Sequence, residues 1–170
     1  MHVMIDLETL GKRPGCKILS IGAVTFHPDT GVKDEFYVNV DPHTQEGLHS
    51  DPDTVKWWKK QSRAAKDALT VDRKPLAGAL QLFTSWYINC GGEQVWGNGA
   101  TFDNVILTAC YEYCKLERPW RYRDDRCHRT LVNEFGRGLS KPLFQGVAHN
   151  ALDDARFQAQ YAAAILKAKQ

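Results

Sequence analysis

Few acidic side chains in this chain of 170 residues stand where they could share a site. Asp6 and Glu8 lie one residue apart, near the end of an apolar run that begins at His2. Side chains alternate along a strand, so both carboxylates point to the same face. Two negative charges at the end of a buried strand must be offset, and a divalent cation is the usual means. Asp103 follows a tight turn, while Asp153 and Asp154 open the last helical pattern with His149 just ahead of them. If these acids converge, they balance two divalent ions. A pair of Mg²⁺ ions roughly 3.5 to 4 Å apart activates a water on one side of a phosphodiester and stabilises the leaving oxygen on the other. Donors that are all oxygen suit Mg²⁺ or Mn²⁺ rather than zinc or copper. An imidazole beside them suits a general base for the attacking water, the role read here for His149.

The elements that must bring these groups together can be read from periodicity. After the first strand, the glycines, proline and cations between Leu10 and Gly15 mark a turn. Lys17 to Phe26 is apolar on both faces, as a strand inside a sheet is. Lys33 to Val40 alternates as a third strand, and the short link at His27 to Gly31 favours an antiparallel meander. Asp41 to Asp53 reads as a loop, with Asp53 capping a helix through Val55, Trp57 and Trp58, and Ser62 capping another through Leu69. Pro75 to Asn89 has helical spacing and stops before Gly91-Gly92. Gln94 to Gly97 is a fourth strand, Asn98 to Thr101 a turn, and Phe102 to Lys115 a helix with Asp103 in its first turn, where the helix dipole favours an anion. Tyr122 to Cys127 supplies a fifth strand leading into a helix through Leu131 and Phe135. A loop from Gly136 to Gln145 and a final helix from about Leu152 to Lys167 complete the chain. The expectation is one three-layer α/β domain, with a central mixed sheet of five strands flanked by helices.

Composition excludes several classes. No apolar run approaches the roughly 20 residues that span a bilayer, and no signal-peptide pattern precedes the first strand. The five cysteines are odd in number and scattered, which does not suggest a disulfide framework, so a cytoplasmic protein is expected. Cys110 and Cys114, followed by Cys127 and His128, could suggest zinc, but the first two fall within an apolar helical pattern and read as core-facing thiols. The formal charge of +2 is nearly balanced. Its distribution is not: Arg118, Arg121, Arg123, Arg126, Arg129, Arg137 and Lys141 lie close together, interleaved with Trp120 and Tyr122. That is the footprint of a surface for single-stranded nucleic acid, and equally of a solvated or subunit-contact surface.

Three segments together are more specific than any one alone. Asp6-Leu7-Glu8-Thr9, then Trp96-Gly97-Asn98-Gly99-Ala100-Thr101-Phe102-Asp103, then His149-Asn150-Ala151-Leu152-Asp153-Asp154-Ala155 resemble the three exonuclease motifs of the DEDDh family of 3′-to-5′ exonucleases. The resemblance spans nearly the whole chain. With the Trp57-Trp58 pair, it is most similar to the compact phage and prophage branch, exonuclease VIII-like, and to a mycobacterial exoribonuclease-like domain. It implies a ribonuclease H-like fold and two Mg²⁺ ions, with Mn²⁺ able to substitute. It further implies metal ligation by Asp6, Glu8, Asp103 and Asp154, and a basic role for His149. Asp154 rather than Asp153 matches the family spacing from the histidine, leaving Asp153 as a cap or supporting partner.

The resemblance also implies that Thr9, Leu10, Trp58 and Phe102 grip a terminal nucleotide, with Asn98 and Asn150 orienting the site or serving their turns. Lys12 and Arg13 are candidates for phosphate contact. The implied reaction is hydrolysis at the 3′ end of single-stranded DNA or RNA, releasing nucleoside 5′-monophosphates. The alternatives are a catalytically silent nucleic-acid-binding module of the same fold and a phosphodiesterase for short oligonucleotides. A homodimer, with the arginine-rich stretch of one subunit serving the other's site, is a further expectation.

Overall fold

The strand carrying Asp6 and Glu8 lies at the middle of the sheet. The structure, a computed structural model, describes all 170 residues. Its five strands are ordered β3-β2-β1-β4-β5, with β1 at His2–Thr9, β2 at Ile18–His27, β3 at Gly31–Asn39, β4 at Gln94–Gly97 and β5 at Asp125–Cys127. β1, β2 and β3 form the expected antiparallel meander, whereas β4 pairs parallel to β1 and β5 parallel to β4. Parallel neighbours need a crossover, and helices supply it. These are α1 (Pro52–Lys59), α2 (Arg63–Ala68), α3 (Leu76–Asn89), α4 (Asp103–Tyr113), α5 (His128–Phe135) and α6 (Ala151–Lys167).

β1 separates two cores. Val3, Ile5 and Leu7 pack with Leu80, Phe83, Ile106 and Tyr111 from α3 and α4. Met4 packs on the other face with Val24, Phe26, Trp96 and the Ala155–Ala159–Ala162 stripe of α6. Asp6 and Glu8 share the alternation of Met4, so they fall on the α6 side of the sheet. Cys110 joins the first core as a buried free thiol and Cys114 packs against it.

Three local readings need correction. The N-cap of α1 is Asp51, with Asp53 inside the first turn; Pro52 at the first helical position sets that boundary. The fifth strand is only Asp125–Cys127, because Tyr122–Asp124 forms a short 3₁₀ turn closed by Arg121 and Asp124. α4 starts at Asp103 and ends at Tyr113, one residue later and two earlier than the pattern suggested. Ser62 does cap α2, its hydroxyl accepting from the Ala65 amide at 3.1 Å.

The placement of α6 depends on one residue of β2. Gly22 pairs with Asp6 across the sheet, and a Cβ there would overlap the backbone of Ala151 and Leu152. The start of α6 therefore rests directly on the sheet beside Asp6, with Asp154 one turn further on. Gly22→Val should lower stability by about 3 kcal/mol, the upper part of the range for overpacking. A denaturant midpoint unchanged from the parent would contradict this placement.

Candidate active site

Each acidic group reaches the site by a different local device. Asp103 is the first residue of α4 and is almost fully buried. One of its oxygens accepts from the Leu7 amide at 3.3 Å, which ties the start of α4 to β1 between the two acids. Gly97 permits this approach: a side chain there would run into Asp103 and Asn104. Asn104 is itself buried and donates to the Val95 carbonyl and to Asp125 at 2.8 Å, locking β4, α4 and β5 together.

α6 brings the third segment. Asn150 is its N-cap, accepting from the amides of Leu152 and Asp153. Asp153 turns away from the cluster, accepting from the Val147 amide at 2.9 Å and pairing with Arg156 at 2.6 Å. Asp154 turns toward it, and its Oδ2 accepts from the His149 amide at 3.0 Å. His149 adopts φ = 65°, a left-handed conformation that costs a non-glycine residue free energy and persists where surrounding contacts fix it. Those contacts are the Asp154 carboxylate on its amide and the ring of Trp57, which meets the imidazole edge to face at 4.8 Å.

Ligating atoms of Glu8, His149 and Asp154 lie within 4.8 Å of one another. Asp6 and Asp103 stand outside that trio yet close enough to feel it. Burial, then the charges of Asp103, Glu8 and Asp154, raise Asp6 well above the usual carboxylate range. Burial and the charges of Asp154 and Asp103 push Glu8 up to about 8. Burial lifts Asp103 to about 7 against the restraining amide hydrogen bonds of Leu7 and the 98–99 turn. Asp154 is also raised, chiefly by burial. No lysine or arginine pairs with these four; Arg156, the nearest cation on α6, is engaged by Glu35 and Asp153. An oxygen-rich cluster with no counter-charge of its own has the donor set and the charge to hold hard divalent cations.

Two residues at the site are not among those the sequence singles out for it. Gln158, one turn beyond Asp154 and nearly buried, donates to Asp6 Oδ1 at 2.8 Å; helical i, i+4 spacing from Asp154 was the available clue. Trp57 is the second. Of the tryptophan pair, Trp58 is the more structural: it is 7% exposed, packs on Leu19, Ala65 and Leu69, and donates its indole N–H to the Thr9 carbonyl at 2.8 Å. Trp57 is 41% exposed and faces His149. Both line a cleft of about 500 Å³ with Glu8, Thr9, Lys12 and Phe102. Leu10 packs at the edge of the Trp58 cluster. Thr9 donates its hydroxyl to the Gly11 carbonyl, and Arg13 lies 4.0 Å from Asp51. Asn98 faces away from this cleft, its Oδ1 3.2 Å from His128 Nδ1. The largest cavity, about 740 Å³, lies against β3 and α3 and holds none of the four carboxylates.

A mixed sheet with this strand order, helices on both faces and an acidic cluster at the end of its central strand defines a ribonuclease H-like nuclease architecture. Solved structures agree on the fold. The nuclease domain of 3′hExo, a DEDDh family member bound to rAMP, superposes with a TM-score of 0.66 at 15% identity, covering 98% of this chain and 92% of that one. S. pombe Pop2p in an Mg²⁺- and Mn²⁺-bound form gives 0.55 at 15% identity, covering 95% of this chain and 81% of that one. A search of curated proteins finds no significant match. The chain belongs to the family of 3′-5′ exoribonuclease Rv2179c-like domains, whose family model matches residues 1–166. It is thus a 3′-to-5′ exonuclease domain of the hydrolase class.

The raised carboxyls have a consequence for stability without metal. Glu8 holds its proton more tightly folded than unfolded, so the folded state binds more protons between the ordinary value of 4.5 and about 8. Stability then falls as pH rises through that window. In EDTA, the urea midpoint should decline from pH 5 to pH 8.5, and Glu8→Gln should flatten the decline. A midpoint that climbs with pH over this range, in parent and variant alike, would refute the assigned environment.

Proposed function

We propose that the protein hydrolyses single-stranded RNA from its 3′ end with two divalent cations, releasing nucleoside 5′-monophosphates. The observation that carries this reading is the convergence of Glu8, Asp154 and His149 within 4.8 Å, with Asp6 and Asp103 adjoining and no internal cation to offset them. The exoribonuclease family and the rAMP-bound neighbour support an RNA substrate; the Mg²⁺- and Mn²⁺-bound neighbour supports the metals.

Asp6, Glu8, Asp103 and Asp154 would hold the metals. When bound, these supply Lewis acidity to the scissile phosphate and lower the pKa of an attacking water. The rest falls to the chain. The imidazole of His149, whose ring packs edge to face on Trp57 and whose backbone amide is tied to Asp154, would take a proton from the attacking water as its oxygen bonds to phosphorus. As that bond forms, the bond from phosphorus to the 3′-oxygen of the retained strand breaks, and that oxygen is protonated to the new 3′-hydroxyl. The Leu7 amide keeps Asp103 in register with β1, and Gln158 fixes the rotamer of Asp6. Trp57 and Phe102 border the cleft next to Glu8, where they would receive the terminal base and exclude water from one side of the reacting phosphate.

A 5′-labelled RNA incubated with Mg²⁺ should yield a ladder that shortens from the 3′ end, with single-stranded DNA cut more slowly. Oligonucleotide binding without any product in Mg²⁺ or Mn²⁺ would favour a silent binding module instead, and turnover confined to dinucleotides would favour a short-oligonucleotide enzyme. Asp6→Asn should abolish hydrolysis while preserving the circular dichroism spectrum. His149→Ala should slow turnover by about 10² to 10⁴, the usual contribution of a general base, and leave metal titration intact.

Trp57 gives an independent check. Stacking on a base contributes about 1 to 3 kcal/mol, so Trp57→Ala should raise KM about fivefold to a hundredfold. Its loss should also lower kcat, because the same ring holds His149. A change smaller than twofold in both constants would remove Trp57 from the site.

A further inference from the structure

Four cations of the basic run from Arg118 to Lys141 are engaged by neighbouring groups of the same segment or of α4. Arg118 hydrogen-bonds Thr108 at 3.0 Å, lies 3.8 Å from Asp125 and sits over the Trp120 ring. Arg121 pairs with Asp124 at 2.9 Å. Arg126 donates to the carbonyls of Arg123 and Asp125, and Arg123 covers Tyr122. Arg129 and Lys141, both exposed and without a carboxylate partner, differ in lining one cleft, of about 270 Å³; Arg137 is also exposed but is not among its lining residues.

That cleft abuts the carboxylate cluster from a second direction. It contains Asp154 and Gln158, whereas the Trp57 cleft contains Glu8, and the two share no lining residue. The Arg129 guanidinium lies 3.8 Å from where a side chain at Gly99 would begin, four residues ahead of Asp103. Phe144 and Phe157 form an edge-to-face pair at 5.5 Å on the same cleft, and the Lys141 ammonium sits 5.0 Å above the Phe157 ring. His128 closes the floor. It is nearly buried, with Nδ1 on Asn98 and Nε2 without a partner. Burial and the two neighbouring cations push it down to about 4. The positive charge of the cleft therefore resides on two exposed side chains at its rim, where a phosphate can reach them.

We propose that this second cleft seats the nucleotide on the 5′ side of the scissile phosphate, with Arg129 and Lys141 contacting the retained strand's phosphates and the Phe144–Phe157 pair its base. The proposal rests on the exonuclease reading above, since a scissile phosphate at the carboxylates needs one nucleotide on either side. It also separates two cations that meet substrate from Arg118, Arg121, Arg123 and Arg126, whose contacts hold the segment in shape.

The test is binding of a 5′-fluorescein-labelled single-stranded oligoribonucleotide in Ca²⁺, followed by anisotropy across a salt series with substrate integrity checked on gels. The double variant Arg129→Gln/Lys141→Gln should weaken binding about tenfold at moderate salt. Its slope of log Kd against log salt should fall by about 1.4, each phosphate contact to a single strand contributing about 0.7. Arg121→Gln, which removes a cation already paired with Asp124, serves as the control and should leave the slope unchanged. A nucleoside 5′-monophosphate, which has no 5′-side neighbour, should lose at least fivefold less affinity than the oligonucleotide. An unchanged slope in the double variant, or equal losses for both ligands, would overturn the assignment. A changed slope in a protein that never hydrolyses RNA would sink the exonuclease reading, and with it the 5′-side register, while keeping Arg129 and Lys141 as strand contacts.

Discussion

Mutual repulsion among buried carboxylates is the constraint around which this fold is arranged. At an effective dielectric of 20, two unit charges 4 Å apart repel by about 4 kcal/mol, and the cluster holds four acids with no lysine or arginine among them. A protein of marginal stability tolerates this only if protons or external cations offset the charge. Burial first, and for Asp6 and Glu8 the neighbouring acids as well, raises Asp6, Glu8 and Asp103, which is the proton-bound half of that choice. On the proposed reading a divalent cation replacing those protons would be the other half, so affinity for cations and instability without them would have the same origin.

Concentrating the acids requires a central strand reachable from both faces. β1 has β2 on one side and β4 on the other, which sends α4 to one end of its register and lets α6 cross from the opposite layer. The approach is then set by two glycines. Gly22 lets the backbone of α6 rest on β2 beside Asp6, and Gly97 makes room for Asp103 and Asn104 at the end of β4. A methyl group at either position would overlap the segment that carries a carboxylate, so the start of α6 or of α4 would have to shift. The aromatic core of Phe83, Tyr87, Tyr111 and Trp120 beneath this face gives the rigidity that such close approaches demand.

What can be read from the linear sequence follows from periodicity and spacing. The five strands, the meander and the cap at Ser62 rest on local rules that the fold obeys. The helix start at Asp51 and the shortened β5 were harder, because each is decided by a proline or a side-chain pair that competes with the broader pattern. Gln158 and the division of labour between Trp57 and Trp58 were not legible. Adjacent residues on a helix point about 100° apart, and which of two tryptophans turns inward depends on Leu19 and Leu69, which lie far away in sequence. The arginine run was legible as charge but not as contact, since pairing with Asp124 and Asp125 is invisible until β5 is placed.

The irregular segment 136–150 joins these themes. It begins after α5, contributes Lys141 and Phe144 to the second cleft, and ends at His149, whose strained backbone is held by Asp154 and whose ring is held by Trp57. On the proposed reading, a strand engaged on the 5′ side touches the same segment that carries the base, while a nucleobase on the 3′ side touches the tryptophan that orients it. Occupancy of both clefts would then restrict His149 from two directions, and a lone nucleotide would restrict it from only one. Selectivity for a polymer end over a free nucleotide can thus arise in the water-activating step as well as in binding, because part of the ordering of the imidazole is supplied by the substrate itself.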